Sequence, residues 1–187
     1  MITKESLTKA LNRLSELLYE RNEKIELVVV GGAISVLFFE NRRGTKDVDT
    51  VYPPGKEKLM EELIKKVSTE QNLPNDWMNS SVEFFGVQTK SEIIIFKKDN
   101  LILYAAEWEE MLGMKLSGAF RGNKDIDDAM EILKQIGDKD KRKTLEKVVK
   151  YKNFTPQIPD DTIEKRFNLI WSKVFDLNCK VKNRNRT

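Results

Sequence analysis

Apolar residues recur every three to four positions near the start of the chain, which predicts an amphipathic helix over residues 4–21. The repeating positions are Leu7, Ala10, Leu11, Leu14, Leu17 and Leu18. The pattern then changes to an apolar run from Ile25 to Val30 that leaves no room for polar alternation. We interpret this run as a strand that is covered on both of its faces.

A second helix and a hairpin follow. Residues 56–69 carry apolar side chains at helical spacing, which predicts another helix that packs on the sheet. Two short apolar runs, 91–96 and 101–105, are separated by the polar residues 97–100 and predict a β-hairpin. Helical spacing of apolar residues returns from Trp108 onwards and continues in the C-terminal part.

A glycine pair follows the first predicted strand. Gly31 and Gly32 allow a sharp turn and a close approach of the backbone to a ligand. Residues 33–40 have helical composition, so the glycines would stand at a helix N-terminus, where unpaired N–H groups favour phosphate. Ser35 falls in the first helical turn, where its hydroxyl could reach a phosphate or merely help to cap the helix.

Two carboxylates stand two positions apart on the next predicted strand. Asp47 and Asp49 would therefore point to the same face. Two neighbouring carboxylates repel each other unless a cation lies between them, and a set of oxygen ligands favours Mg²⁺. The preceding Arg42, Arg43 and Lys46 could neutralise the charge of a triphosphate or form an ordinary solvated loop. The pattern suits the binding of a nucleoside triphosphate with a metal ion.

The composition limits the chemistry further. None of the 187 residues is a histidine, which excludes Ser-His-Asp and Cys-His mechanisms and HExxH zinc sites. The single cysteine, Cys179, excludes an internal disulfide and a cysteine-rich zinc site. Carboxylates, Lys, Arg, Ser or Tyr must perform any chemistry, and magnesium-assisted phosphoryl or nucleotidyl transfer is one of the few common reactions that fit.

The charge and the hydropathy add little specificity. A net charge of +3 and a pI of about 8.8 permit nucleic-acid binding without requiring it. The sequence has no apolar run of about 18 residues that would span a membrane. Its first residues lack the apolar segment of a signal peptide. We therefore expect a cytoplasmic protein with no membrane partner.

The order of these motifs resembles that of the nucleotidyltransferase superfamily, which includes DNA polymerase beta and the aminoglycoside and minimal nucleotidyltransferases. Its signature is a hydrophobic residue, Gly-Gly or Gly-Ser, a helix, and then Asp-x-Asp or Asp-x-Glu on a strand. Here the stretch between Gly32 and Asp47 is slightly longer than the usual spacing.

Later motifs narrow the resemblance. Lys115 in Met-Lys-Leu, an arginine, and then Lys-Asp-x-x-Asp-Ala with Asp125 and Asp128 follow in the order of the AbiEii-like and MenT-like nucleotidyltransferases of prokaryotic toxin–antitoxin systems. The Leu-Pro-x-Asp-Trp-Met-Asn stretch at 73–79 looks even closer to a small prokaryotic nucleotidyltransferase-like family with Trp-Leu-Asn at that place. The resemblance covers roughly residues 25–136.

The resemblance implies roles for individual residues. Asp47 and Asp49 would hold Mg²⁺ or Mn²⁺ and act in catalysis together with Lys115, which would contact the nucleotide phosphates. The residues that it assigns to nucleotide binding are Gly31, Gly32, Ser35, Lys115, Asp125 and Asp128. Independently of the resemblance, Lys115 is also placed to form an ion pair with Asp125 or Asp128 that holds two helices together.

We therefore predict an α+β (α/β) fold with a nucleotidyltransferase-like mixed sheet flanked by helices. Residues 1–110 would form this core, 111–178 a helical C-terminal part, and 179–187 a basic, disordered tail. The expected reaction moves a nucleoside monophosphate from a nucleoside triphosphate to an acceptor hydroxyl of RNA, tRNA, a protein or a small molecule. The protein would then be a candidate toxin with a cognate antitoxin as its partner.

Two alternatives stay open. Many members of this fold complete the metal site with a third carboxylate from a neighbouring strand, and Glu92 is the nearest candidate in sequence order. Without such a residue, the same fold would serve as a catalytically incomplete binding or regulatory protein. A weaker alternative is an RNA-binding protein that uses the basic tail, in which Lys180, Lys182, Arg184 and Arg186 alternate with other residues.

Overall fold

A five-stranded mixed sheet forms the centre of the first of two units, which spans Met1–Ala106. The computed structural model describes residues 1–82, 87, 89–118, 122–151 and 158–176. The elements of the first unit are β1 (Ile2–Thr3), α1 (Lys4–Glu20), β2 (Ile25–Val30), α2 (Gly32–Leu37), β3 (Gly44–Thr45), β4 (Val48–Val51), α3 (Glu57–Gln71), β5 (Met78–Asn79), β6 (Lys90–Lys98) and β7 (Leu101–Ala106). The mixed sheet with flanking helices confirms the predicted fold class.

Strand β2 lies at the middle of the sheet, whose order is β5-β4-β2-β7-β6. It pairs antiparallel with β4 and parallel with β7. Leu27 and Val29 are fully buried, as expected for a central strand with neighbours on both edges and helices on its faces. The predicted bounds of this strand and the predicted hairpin of β6 and β7 are both confirmed.

Helices α1 and α3 pack on each other, and a cluster of charged side chains lies at the edge of their interface. The leucines of the predicted apolar face of α1 are buried. At the edge of the contact, Arg13 Nε lies 2.7 Å from Glu70 Oε2, and its Nη1 atom reaches Glu16 and Glu20. The hydrogen bond to Glu70 is the largest cause that raises the pKa of Arg13. Because these side chains are partly exposed, the cluster orients the helices more than it stabilises them.

A short two-stranded sheet fixes the loop that precedes β4. Strands β1 and β3 pair antiparallel, with Ile2 opposite Thr45. Gly44 lies so close to this pair that an added Cβ would stand 2.6 Å from the carbonyl oxygen of Ile2. The N-terminal strand therefore holds Gly44 and Thr45 in place before β4, while Arg43 and Lys46 beside them are exposed to solvent.

The second unit begins at Glu107 and is helical. Its elements are α4 (Trp108–Ser117), α5 (Asn123–Ile136), α6 (Lys141–Val149), α7 (Asp160–Trp171) and a π-helical turn (Ser172–Asp176). The sequence-based boundary between residues 110 and 111 falls inside α4, whereas the structural division precedes that helix. The predicted basic tail at 179–187 lies outside the described residues. No helix in the described part of the chain is long and apolar enough to cross a membrane.

A buried ion cluster joins α4 to α5. Lys115 Nζ lies 3.0 Å from Asp125 Oδ1 and 2.8 Å from Asp128 Oδ2. The side chain of Asp128 is only 2% exposed, and those of Lys115 and Asp125 are about one fifth exposed. The ion pair that the sequence predicts between these helices is therefore present, with both acids on one lysine.

A residue of helix α7 supplies hydrogen-bond donors to the carbonyl groups at the C-terminal end of α4. Arg166 donates hydrogen bonds from Nη1 to the carbonyl oxygens of Leu116 and Gly118. The last carbonyls of a helix have no partner within the helix, so a guanidinium at this end supplies donors and a favourable charge. Together with the lysine cluster, this contact sets how α4 packs within the second unit.

Replacing Lys115 by methionine should destabilise the protein strongly. The change keeps an unbranched side chain but removes the charge that lies 2.8 Å from the buried Asp128 carboxylate, so the free energy of unfolding should fall by about 3 kcal/mol. Lys147→Met is the matched control, because Lys147 pairs with Glu109 in the same unit but has a side chain that is 43% exposed. Its loss should stay below about 1 kcal/mol. Equal losses for the two variants in urea denaturation would contradict the importance of the buried cluster.

Candidate functional site

The turn after β2 lies against Asp49 of β4. The antiparallel register places Val30, the last residue of β2, opposite Asp49. Gly31 then turns the chain with φ +72°, and a Cβ added there would stand 3.2 Å from Asp49 Oδ2. Glycine is required at this position by the backbone angle, and it keeps bulk away from a carboxylate oxygen. The predicted bend and one of the two predicted acids therefore lie together.

The second glycine has a different neighbour. A Cβ on Gly32 would stand 2.5 Å from Thr45 Oγ1 and 3.7 Å from Arg42 Nη1. Thr45 is buried, and its hydroxyl donates a hydrogen bond of 2.9 Å to the backbone oxygen of Asp47. One threonine thus packs on the glycine turn and fixes the backbone at the first acid. The guanidinium of Arg42 adds a positive charge beside the turn.

Asp47 and Asp49 lie on the accessible side of their segment. Strand β4 begins at Val48, so Asp47 immediately precedes it. Val48 and Thr50 are fully buried, whereas Asp47 and Asp49 are half-buried. This alternation is that of a strand with one face on the core, and it indicates that both acids project from the opposite face. Thr50 Oγ1 donates a hydrogen bond of 2.8 Å to the Val28 carbonyl oxygen, which satisfies the polar group on the buried face.

Helix α2 is shorter than the sequence predicts. It spans Gly32–Leu37, six residues, and so ends three residues before the predicted end at Glu40. The backbone N–H groups of Phe38 and Phe39 both bond to the Ile34 carbonyl oxygen, and Glu40 has φ +55°. These contacts close the helix early, so its dipole is weaker than that of a longer helix. Ser35 is 2% exposed and has an interaction partner within the protein, which makes it a packing residue of α2 in this conformation.

A short strand that the sequence analysis missed lies beside the acids. Strand β5 pairs parallel with β4, with Asn79 opposite Asp49. Trp77 anchors it: the ring is fully buried, and Nε1 donates a hydrogen bond of 3.1 Å to the Ile64 carbonyl oxygen. The sequence pattern predicted no strand in this segment. A strand of two residues carries no periodic signal, so only the Trp-Met-Asn resemblance pointed to this place.

The structure does not bring Glu92 to the two acids. Glu92 is exposed on β6, and β2 and β7 lie between that strand and β4. Three strand spacings separate β6 from β4 by about 14 Å. Glu92 therefore does not complete a metal site with Asp47 and Asp49. Among the described residues, no group of three or more His, Cys, Asp or Glu side chains is arranged to hold a metal ion.

The remaining predicted residues belong to the second unit. Lys115, Asp125 and Asp128 lie together there and bind one another. The cluster carries one positive and two negative charges, so it is net negative. Any anionic ligand that contacts Lys115 has to compete with two carboxylates at hydrogen-bond distance. Their assignment to nucleotide binding stays a prediction from the resemblance.

The donor set at the glycine turn suits a hard divalent cation. The two acids supply oxygen ligands only, which is what Mg²⁺ and Mn²⁺ prefer over nitrogen or sulfur. Gly31 presents no side chain toward Asp49 Oδ2, so the turn itself places only backbone beside that oxygen. The residues present therefore fit such an ion, with Asp47 and Asp49 as its ligands.

Comparison with known proteins gives a family. A family model described as a nucleotidyltransferase of unknown function (DUF6036) matches residues 5–176. No curated protein and no solved structure was found to match the chain. The matched range includes the glycine turn, both acids, the Trp-Met-Asn segment and the ion cluster of the second unit. The chain therefore belongs to this family of nucleotidyltransferases of unknown function.

Proposed function

We propose that this protein is a metal-dependent nucleotidyltransferase that moves a nucleoside monophosphate from a nucleoside triphosphate to an acceptor hydroxyl. The observation that carries the proposal is the close approach of the Gly31 turn to Asp49 at the end of β2, where a Cβ added to Gly31 would stand 3.2 Å from Asp49 Oδ2. It combines a backbone bend suited to phosphate with a carboxylate suited to the cation that accompanies a triphosphate. Family membership supports the class of reaction.

The residues of the first unit have distinct tasks in this proposal. Asp47 and Asp49 would hold Mg²⁺ or Mn²⁺, and the ion when bound would offset negative charge on the phosphates and the leaving pyrophosphate. The backbone N–H groups after Gly31 would face phosphate oxygens, and Arg42 beside the turn would add a charge-assisted contact. Thr45 would keep this arrangement rigid, because it contacts both the turn and the backbone of Asp47.

The acceptor follows from the resemblance rather than from the geometry. The order of the Gly-Gly, Asp-x-Asp, Met-Lys-Leu and Lys-Asp-x-x-Asp motifs supports an AbiEii-like or MenT-like activity, with RNA or tRNA as the first acceptor to test. A protein or a small molecule with a hydroxyl group is the next. On the same basis, the protein would be the toxin of a toxin–antitoxin pair and would bind a cognate antitoxin.

Loss of either acid should abolish transfer. The purified protein is incubated with each labelled nucleoside triphosphate, Mg²⁺, and tRNA or a whole-cell lysate as the acceptor. Asp47→Asn and Asp49→Asn should each reduce labelling at least about a hundredfold, because a lost ligand leaves phosphate charge uncompensated. Asp99→Asn is the matched control, since Asp99 is exposed between β6 and β7. Acceptor labelling by the Asp47 and Asp49 variants at the wild-type level would refute the proposal.

The glycine turn can be tested by a matched pair of alanine variants. Gly31 and Gly55 both have positive φ, +72° and +77°, but no atom lies within 4 Å of a Cβ added at Gly55. Alanine should destabilise the protein at both positions, by about 1–3 kcal/mol, through backbone strain. Only Gly31→Ala should also weaken binding of Mn²⁺ and nucleotide, because its methyl group contacts Asp49 Oδ2. Similar binding by the two variants would contradict a ligand site at the turn.

The second candidate is a binding or regulatory protein with this fold and no catalytic activity. The absence of a third carboxylate among the described residues around Asp47 and Asp49 favours it. Such a protein would act on a partner protein without transferring a nucleotide. The two candidates predict different responses to Mg²⁺ and nucleotides.

Thermal unfolding with and without Mg²⁺–nucleotide separates the candidates. For an enzyme, one nucleotide at a hundred times its Kd should stabilise the folded state by about 2.7 kcal/mol. For a chain of this length, that corresponds to a rise in Tm of roughly 5–10 °C. Asp49→Asn should remove the rise. The absence of a shift with all four nucleotides would favour the second candidate.

A further inference from the structure

Asn79 lies directly beside Asp49 on the same face of the sheet. In the parallel pair of β4 and β5, Val48 is opposite Met78 and Asp49 is opposite Asn79. Residues opposite each other on neighbouring strands project to the same side, and the strands are about 4.8 Å apart. Burial agrees with this register, because Val48 and Met78 are buried whereas Asp49 and Asn79 are half-buried.

The Asn79 side chain is held in place. Its Oδ1 atom accepts a hydrogen bond of 3.0 Å from the backbone N–H of Ser81, a turn contact that fixes the orientation of the amide. The strand is held in turn by a hydrogen bond of 2.8 Å from the Val48 N–H to the Trp77 carbonyl oxygen. An amide oxygen has two lone pairs, so one remains for a second partner. The atom is therefore a positioned oxygen rather than one on a free side chain.

Asn79 is also reachable by a ligand. It lines a pocket of about 470 Å³ between β5, the loop that follows it and helix α3. Other walls of this pocket are formed by Tyr52, Lys65 and Ser80. The strand register, rather than this pocket, places Asn79 beside Asp49 on the half-buried face of β4.

We propose that Asn79 supplies a third, neutral oxygen ligand to the divalent cation that Asp47 and Asp49 hold. The inference rests on the proposed function. It gives Asn79 the place of the third ligand, for which Glu92 was the candidate from the sequence. Amide carbonyl oxygens are ordinary ligands of hard cations, so the substitution of an amide for a carboxylate preserves the coordination. It changes the charge of the site.

The charge difference has a consequence for binding. Two carboxylates balance one divalent cation, whereas three would leave a negative charge that attracts it more strongly. With Asn79 in the third position, the site holds the cation weakly until the phosphates of the nucleotide add their own negative oxygens. The site therefore takes up a divalent cation–nucleoside triphosphate complex in preference to the free cation.

The test is a Mn²⁺ titration of the full chain followed by electron paramagnetic resonance, first without nucleotide. Asn79→Asp keeps the acceptor for the Ser81 N–H and adds one negative charge, so it should tighten Mn²⁺ binding at least about tenfold. Ser80→Asp is the matched control, because it adds the same charge one residue along, beyond the end of β5 and outside the position opposite Asp49. It should tighten Mn²⁺ binding by a clearly smaller factor than Asn79→Asp, because it adds charge without a ligand opposite Asp49.

A second titration uses a non-hydrolysable nucleoside triphosphate. The nucleotide should increase the Mn²⁺ affinity of the wild type by a larger factor than that of Asn79→Asp. Asn79→Ala should weaken Mn²⁺ binding with nucleotide present, as measured on protein whose circular dichroism matches that of the wild type. Equal Mn²⁺ affinities of Asn79→Asp and Ser80→Asp would overturn the role of Asn79.

Asp49→Asn separates this inference from the proposed function. If the wild type binds Mn²⁺ and Asp49→Asn does not, the metal site stands, and the Asn79 variants alone decide the inference. If Asp49→Asn binds Mn²⁺ as tightly as the wild type, the metal site itself is wrong and the proposed function fails with it.

Discussion

The candidate site depends on the antiparallel register between β2 and β4. Val30 opposite Asp49 brings the end of one strand to the acid on the other, and the turn at Gly31 must pass that acid. A slip of one residue would exchange the two faces of β4 and put Asp49 into the core in place of Val48. Burial of Val48 and Thr50 therefore enforces the position of the carboxylate from the opposite side of the strand.

Two pairs of carboxylates in this chain have different surroundings. In the second unit, Asp125 and Asp128 share Lys115 at 3.0 and 2.8 Å, and the cluster is largely withdrawn from solvent. Such a buried cluster is costly to open, because each charge loses its partner when another leaves. Asp47 and Asp49 are instead both half-buried, and they lie near the glycine turn and the Arg42 guanidinium. A cation that binds at Asp128 has to break this buried ion pair, which is a physical reason to place the chemistry at the first pair.

Periodicity predicted the elements whose burial is regular. Helix α1, strand β2 and the β6–β7 hairpin follow directly from helical spacing, a continuous apolar run and two runs with a polar break. The predicted end of α2 at Glu40 was wrong. Backbone hydrogen bonds from Phe38 and Phe39 to the Ile34 carbonyl oxygen close the helix early, and Glu40 has a positive φ; composition reveals neither feature. The account of Gly32 from the sequence was also incomplete, because its close neighbour Thr45 is thirteen positions away along the chain.

The order of strands along a chain does not give their order across the sheet. Glu92 was the candidate third ligand because it is nearest in sequence order. Strand β6, which carries Glu92, is long and easily recognised, but it forms the edge of the sheet that is farther from β4. The neighbour of β4 is instead a pair of residues held by Trp77 through its ring and its carbonyl oxygen. A strand this short has too little pairing of its own to fix its register, so the anchor determines where Asn79 lies. The buried tryptophan, rather than a pattern of hydrophobic positions, therefore identifies the strand that carries the ligand we propose.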